Sequence, residues 1–268
     1  MPVARLDSRA LIAVTGPDAR PFLHNLLTQD LATLKPGELR FGALLGPQGR
    51  LLFDLFLLGT DEGVILDCAA DRRATLIQRL GMYRLRAAVE IRPDDRPVWA
   101  AWAEAAPSDW PVDPRLAGLG RRGFGDGPRA DTDEAAYLEH QLGLGVPDPA
   151  RDAKADADYP IEANFDLLNG IDFQKGCFIG QETTSRMKRR GRVKSRLVPI
   201  AFKGAAPAFG TEVLSGELRA GEVRSGAEGQ AMALLRLDRL QELTADGRAV
   251  AADLPDWLRT VAELPDRP

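Results

Sequence analysis

The stretch "LRFGALLGPQGRLLFDLFLL", residues 39–58, decides the fold class. Two apolar runs rich in Leu and Phe flank the turn Gly46-Pro47-Gln48-Gly49, the pattern of an antiparallel hairpin. Before it, "ALIAVTG" reads as a strand stopped by Gly16-Pro17. Asp18 then opens the helical stretch "DARPFLHNLLTQDL", with Phe22, Leu23, Leu26, Leu27 and Leu31 recurring every three or four residues. After the hairpin come the strand "GVILDC", the helix "DRRATLIQRLGMYRLR" with Leu76, Leu80 and Tyr83 on one face, and the strand "AAVEIRP". This order predicts an α+β unit, hairpin strands with helices on one face.

Further on, "RPVWAAWAE" reads as a strand of a second unit, and residues 107–128, rich in Pro, Gly and Asp, as mostly loop. "DTDEAAYLEHQLGLGVP" is a helix with Asp131 as N-cap, Glu134 three residues on, and Gly145 with Pro147 as its stop. Residues 150–159 form a charged Ala-Asp segment without apolar period, expected to be a mobile or surface linker. After Ser195, "RLVPIAFKG", "TEVLSG", "LRAGEVRSG" and "QAMALLRLD" alternate with glycines, and "GRAVAADLPDWL" closes the series. Short strands at this spacing make a small barrel or sandwich. The expected units are residues 1–95, 96–194 and 195–268.

With 268 residues, 44% apolar and 28% charged, the chain suits two domains with a substantial core. A net charge of −4 argues against a general affinity for nucleic acid. The N-terminus shows no basic cluster followed by an apolar run, and no 18-residue apolar stretch follows. A cytoplasmic location without a membrane partner is expected. Cys68 and Cys177 form no CxxC pair, which excludes a zinc ribbon or a thioredoxin-like motif. Cys68, at the end of a strand, reads as a small buried hydrophobe. His24 and His140 lack nearby partners for a metal site or a Ser-His-Asp triad, so no metal ligands are assigned.

Chemistry concentrates in "DFQKGCFIGQE", residues 172–182. Cys177 is open to three readings: a functional thiol, a metal or cluster ligand, or packing. Lys175 adds positive charge, and "FIGQETTSRMKR" looks like a turn into a short helix whose first N–H groups favour a thiolate. Gly176 and Gly180 permit tight backbone geometry, and Gln181 and Glu182 suit a hydrogen bond across that turn or a cap. Arg186 opens a basic run, residues 186–196, in which seven of eleven residues are Arg or Lys. It reads either as a solvated hairpin or as a patch for RNA, an anionic small ligand or an acidic partner. The absence of aromatics in the run disfavours sequence-specific binding of single strands.

The segment Lys175-Gly176-Cys177-Phe178-x-Gly180-Gln181-Glu182 resembles the signature of the YgfZ branch of the glycine-cleavage T-protein-like family. That branch is folate-associated and linked to iron–sulfur assembly or repair. "FLHNLLTQDL" and "GPQGRLLFDLFLL" carry the same character, and with the C-terminal strands the resemblance covers nearly the whole chain. It implies two intertwined ferredoxin-like units forming a disc with a central hole, plus a C-terminal β-barrel. It also implies Cys177 as the functional thiol, iron–sulfur enzymes or assembly factors as partners, and tetrahydrofolate as the cofactor. Among cofactor-binding positions, Asn25 and Asp30 fall near the hole, and the aromatic positions that flank folate fall at Arg9 and Tyr137. The family's pterin-binding Glu position is Gly143 here, and its acidic pair is Phe53-Asp54, leaving Asp54 as the carboxylate for aminomethyltransferase-like chemistry. The departures at Gly143 and Arg9 point to a pose, a ligand or an occupancy different from the family's. One cysteine on each of two separate segments does not make a stable iron–sulfur site in the monomer. The readings that follow are an accessory protein for iron–sulfur enzymes, a folate-dependent aminomethyl- or methyltransferase, and a non-catalytic interaction module.

Overall fold

The computed structural model describes residues 2–103, 107–191 and 193–262. The chain opens with β1 (Val3–Arg5), β2 (Arg9–Thr15), α1 (Ala19–Leu26), β3 (Leu39–Leu45), β4 (Leu51–Gly59), β5 (Gly63–Ala69), α2 (Arg73–Arg84) and β6 (Glu90–Asp94). β3 to β6 and β2 form a five-stranded antiparallel sheet in the order β3-β4-β5-β2-β6. The predicted hairpin is its edge pair, with Ala43 opposite Asp54 and Phe41 opposite Phe56. One face packs on α1 and α2 through Ile12, Val14, Phe53, Leu55, Leu57 and Leu66. The other presents Phe41, Phe56, Leu11 and Ile65 to the rest of the molecule. Because both faces are covered, β4 reads as an almost unbroken apolar run in which Asp54 is the exception.

Next come β7 (Val98–Ala101), β8 (Arg121–Phe124), α3 (Glu134–Gly143), α4 (Pro149–Asp152) and α5 (Gln181–Arg190). β1, β7 and β8 make a three-stranded sheet in that order, which lies over β2 and β5 through Ala4, Leu6, Val98, Ala100 and Trp102. Three expectations change here. β8 lies inside the stretch read as loop; its Gly123 sits where a Cβ would come within 2.6 Å of the Trp110 ring, so packing against an aromatic replaces an apolar side chain. The cap of α3 is Asp133, whose carboxylate accepts from the Ala136 amide, while Asp131 instead accepts from the Val3 amide and fastens β1. The segment at residues 150–159 is no mobile linker: Asp152 and Asp158 are buried, held by Ser225 and Arg224.

β9 (Ser195–Ala201), β10 (Glu212–Ser215), β11 (Leu218–Ala227), β12 (Gln230–Arg236), β13 (Leu243–Ala245), β14 (Arg248–Ala249) and β15 (Ala251–Ala252) precede α6 (Asp256–Ala262). They form a seven-stranded antiparallel sheet in the order β14-β13-β10-β11-β12-β9-β15. Its two edge strands are separated only by Val250, so the sheet curls into a nearly closed barrel. Leu197 and Met232 of the barrel share a cluster with Phe41 and Phe56 of the hairpin, joining barrel to body. No helix of the described residues is long and apolar enough to cross a membrane.

Burial, with Asp148 nearby, lifts the Asp152 carboxyl to about 7, although Ser225 and backbone amides oppose the shift. Between the ordinary value of 3.8 and about 7 the folded chain therefore binds more protons than the unfolded one, and stability falls as pH rises through that window. Relative to Asp152→Asn, the wild-type protein is expected to lose stability from pH 5 to pH 7, by up to about 1.4 kcal/mol per pH unit. Urea denaturation of both proteins across that range checks it.

Candidate functional site

The end of α1 organises the signature segment. The helix stops at Leu26 because Leu27 turns extended and bridges Leu44 of β3, so Thr28, Gln29 and Asp30 lie beyond it. Thr28 is fully buried: its hydroxyl donates to the Gly170 carbonyl at 2.7 Å and accepts from the Ala43 amide at 2.8 Å. Its carbonyl accepts from Asp172, whose carboxylate accepts from the amides of Gln174 and Lys175. The Lys175 ammonium then donates to the carbonyls of His24, Leu27 (2.6 Å) and Gln29 (3.0 Å). Carbonyls at a helix C-terminus lack intrahelical partners, and a cation satisfies both their lone pairs and the helix dipole. Burial lowers the Lys175 ammonium to about 8, against the pull of Asp30, Asp172 and Cys177.

Downstream, Phe178 is buried in the cluster that joins hairpin, signature and barrel, and Ile179 packs against the helix layer. Gly180 has φ +79°, and a Cβ there would meet the Gly46 carbonyl and the Gly49 Cα at 2.8 Å. Gly49, at φ +80°, is in turn closed in by Thr183. Gly49 of the hairpin turn and Gly180 of the signature thus exist for one another, since the two backbones touch there with no room for side chains. Gly176 has open space around it. Between these anchors Cys177 is exposed, and the Gln181 side-chain amide donates back to the Gly176 carbonyl at 3.2 Å. Glu182 is exposed in the first turn of α5. Cys68 is buried, and burial pushes its thiol up to about 12, so the protein carries one accessible and one closed thiol.

The basic run is not a hairpin. Arg186 to Arg190 form the second half of α5, where Arg186, Arg189 and Arg190 are exposed and the last-turn cations complement the helix dipole. Lys188 lies 3.5 Å from Asp166, Arg196 is buried against the same carboxylate at 2.9 Å, and Arg192 lies outside the described residues.

A second group of site residues converges beneath the five-stranded sheet. Asp54 points away from the helices, opposite to Phe53, and pairs with Arg9 at 2.7 Å. Arg9 and Arg122 each bind one oxygen of Asp67, at 2.6 and 2.7 Å, and Arg115 pairs with Asp113 at 2.8 Å. Tyr137 and Gln141 of α3 lie 3.5 and 3.4 Å from the Arg115 guanidinium. The guanidinium carbons of Arg122, Arg115 and Arg9 stand 3.8, 4.8 and 5.6 Å from the centre of the Phe56 ring. Burial pushes the Asp113 carboxyl up, but Arg115 and Arg122 together outweigh it and hold it below its ordinary value. Burial also raises Tyr137 and Asp148. The structure therefore joins Arg9, Asp54 and Tyr137, while Asn25 is exposed on α1, Asp30 bonds locally to Thr33 and Ala32, and Gly143 is exposed at the end of α3. Asp67, Asp113, Arg115 and Arg122 were not read from the sequence; the available signal was a lone carboxylate inside each of the apolar runs "GVILDC" and "RLLFDLF". Among the described residues, no three His, Cys, Asp or Glu side chains converge to hold a metal ion.

Residues 194–260 match the family described as CAF17, C-terminal beta-barrel domain. The iron-sulfur cluster assembly factor IBA57, mitochondrial, of Homo sapiens is 31% identical over 305 residues, covering 97% of this chain and 86% of that protein. Its Mus musculus counterpart is 32% identical over 308 residues with the same coverage. The homolog from Neurospora crassa is 30% identical over 246 residues, 76% of this chain. In fold, the glycine cleavage system aminomethyltransferase T from Bartonella henselae superposes with a TM-score of 0.75 over 95% of this chain and 85% of that one, at 20% identity. These relatives correct the expectation of a cytoplasmic location, since all three assembly factors are named mitochondrial.

The contrast between the two signature glycines is measurable. Gly180→Ala is expected to cost about 1–3 kcal/mol of stability, because it is strained at positive φ and clashes with backbone. Gly176→Ala, in open space, should stay within about 0.5 kcal/mol of wild type. Equilibrium urea denaturation distinguishes them.

Proposed function

The chain belongs to the family of iron–sulfur cluster assembly factors named IBA57, and from that premise we propose that it supports assembly or repair of iron–sulfur enzymes through the thiol of Cys177. One observation carries the reading: in a segment otherwise bolted to the body by Lys175, Phe178 and Gly180, Cys177 is exposed. A loop built only for packing would bury its cysteine, as the strand end at Cys68 does.

A cluster takes about four ligands, mostly cysteine thiolates, so one exposed thiol supplies one of them and a partner protein or a second copy supplies the others. In this reading the protein positions a cluster as cargo and does not store it. Exposed Arg186, Arg189 and Arg190 lie on the helix that follows the thiol and favour a partner with an acidic face. Aminomethyl transfer would rest on the Asp54 carboxylate, which Arg9 already holds at 2.7 Å, and the binding role is therefore preferred to turnover.

Cys177→Ser is expected to leave the denaturation midpoint unchanged and to abolish restoration of iron–sulfur enzyme activity in cells lacking their own copy. On the native protein, iodoacetamide should label Cys177 and leave Cys68 unmodified until unfolding. Full restoration by Cys177→Ser would reduce the signature to a structural turn.

A further inference from the structure

The resemblance that frames this fold places a folate among Arg9, Asp54, Tyr137 and the position of Gly143. The first three meet in the buried cluster beneath the five-stranded sheet. A pterin recognised there would need two things: a flat surface to stack on, and free acceptors for the N–H donors of its 2-amino-pyrimidinone edge. A carboxylate supplies such acceptors in pairs.

Both places are taken by the chain itself. Phe56 is the flat surface, and the guanidinium of Arg122 lies over it at 3.8 Å. The carboxylates around the ring are Asp54, Asp67 and Asp113, and each is engaged by arginine: Asp54 by Arg9 on one oxygen, Asp67 by Arg9 and Arg122 on its two oxygens, Asp113 by Arg115 through both of its own. A fourth carboxyl, Asp148, lies alongside; burial raises it, which favours its neutral form, and one of its oxygens accepts from the Ala150 amide. The buried side-chain atoms left without a hydrogen bond in this cluster are Gln141 Nε2 and Arg122 Nη1, the latter 3.9 Å from Asp113. Both are donors, so an incoming donor edge would meet donors. Gly143, where a carboxylate would close the set, is exposed with no atom within 4 Å of a built Cβ. The residues present do not fit the pterin.

We propose that this chain is folate-independent, with the Arg122 guanidinium, stacked on Phe56 and bonded to Asp67, standing where the pterin ring would lie. A guanidinium is a planar, donor-only group with the same N–C–N donor pattern as the pterin edge, so it satisfies a carboxylate over an aromatic ring in the same manner. Three guanidiniums, of Arg9, Arg115 and Arg122, face the carboxylates of Asp54, Asp67 and Asp113 in one buried cluster, and the Asp148 carboxyl beside them is pushed up by burial and by Asp54. A bound ligand would have to break at least one buried ion pair, which leaves an uncompensated charge and is among the costliest changes available to a core. The inference concerns this cluster alone and stands whether or not Cys177 acts as the thiol.

The test uses the full-length protein and two probes. Isothermal titration of wild type with (6S)-5-formyltetrahydrofolate, a stable reduced folate, is expected to show no saturable heat and no rise in the thermal midpoint. Arg122→Ala should melt lower than wild type, and 6-methylpterin should raise the midpoint of the variant but not of wild type, because truncation opens the slot beside Phe56. Saturable, stoichiometric binding of the reduced folate by wild type would overturn the proposal outright. A folded Arg122→Ala that ignores the pterin would overturn the stand-in role. If the variant does not fold, the wild-type titration alone decides.

Discussion

The Lys175 ammonium, held by the carbonyls of His24, Leu27 and Gln29, is the contact on which the functional loop depends. It is a half-buried charge held in direct contact by carbonyl dipoles, with Asp30 and Asp172 adding a longer-range pull. Such a charge persists only where several oriented acceptors converge, and the end of a helix is where a chain supplies them. The early turn of Leu27 into a bridge with Leu44 is what exposes those carbonyls. Anchored there, residues 172–182 have little freedom: Phe178 falls into the shared core, Gly180 meets the hairpin turn, and the thiol between them is left facing solvent.

The buried ion network has a different logic. Asp54 and Asp67 interrupt strands whose remaining inward positions are apolar, and each would be intolerable without its arginine. Those arginines arrive from distant parts of the chain, Arg9 from β2 and Arg122 from β8, while Arg115, from the loop before β8, holds Asp113 beside them. The network therefore fixes how the three-stranded sheet sits on the five-stranded one, a matter on which apolar contacts alone are permissive. Phe56 serves both purposes, since its ring carries the guanidiniums and also packs on Phe41 within the apolar cluster.

What was legible in the sequence follows from the range of the interactions involved. The hairpin at residues 39–58, the two helices and the barrel strands are written in local periodicity and turn chemistry, and the observed elements fall where the pattern puts them. α1 came out shorter than its apolar repeat because a tertiary bridge competes for Leu27. β8 was missed because Trp110 fills the space over Gly123, and no window around "RRGF" contains that fact. The segment around Asp152 and Asp158 was read as mobile because its carboxylates look solvated until Ser225 and Arg224, more than sixty residues on, are brought beside them. At the site, the signature located the thiol but not its exposure, and it gave no hint that Lys175 serves the helix instead of the cysteine.

The closing of the barrel by β14 and β15 carries a consequence for how the protein is made. Both free edges of that sheet are supplied by one short segment, residues 248–252, which follows every other strand of the sheet. Until the ribosome has released it, β13 and β9 remain open edges, a template for pairing with another nascent chain. Leu197 and Met232, which complete the cluster behind the hairpin, belong to that unfinished barrel. The N-terminal half is therefore synthesised long before the surface that seals it.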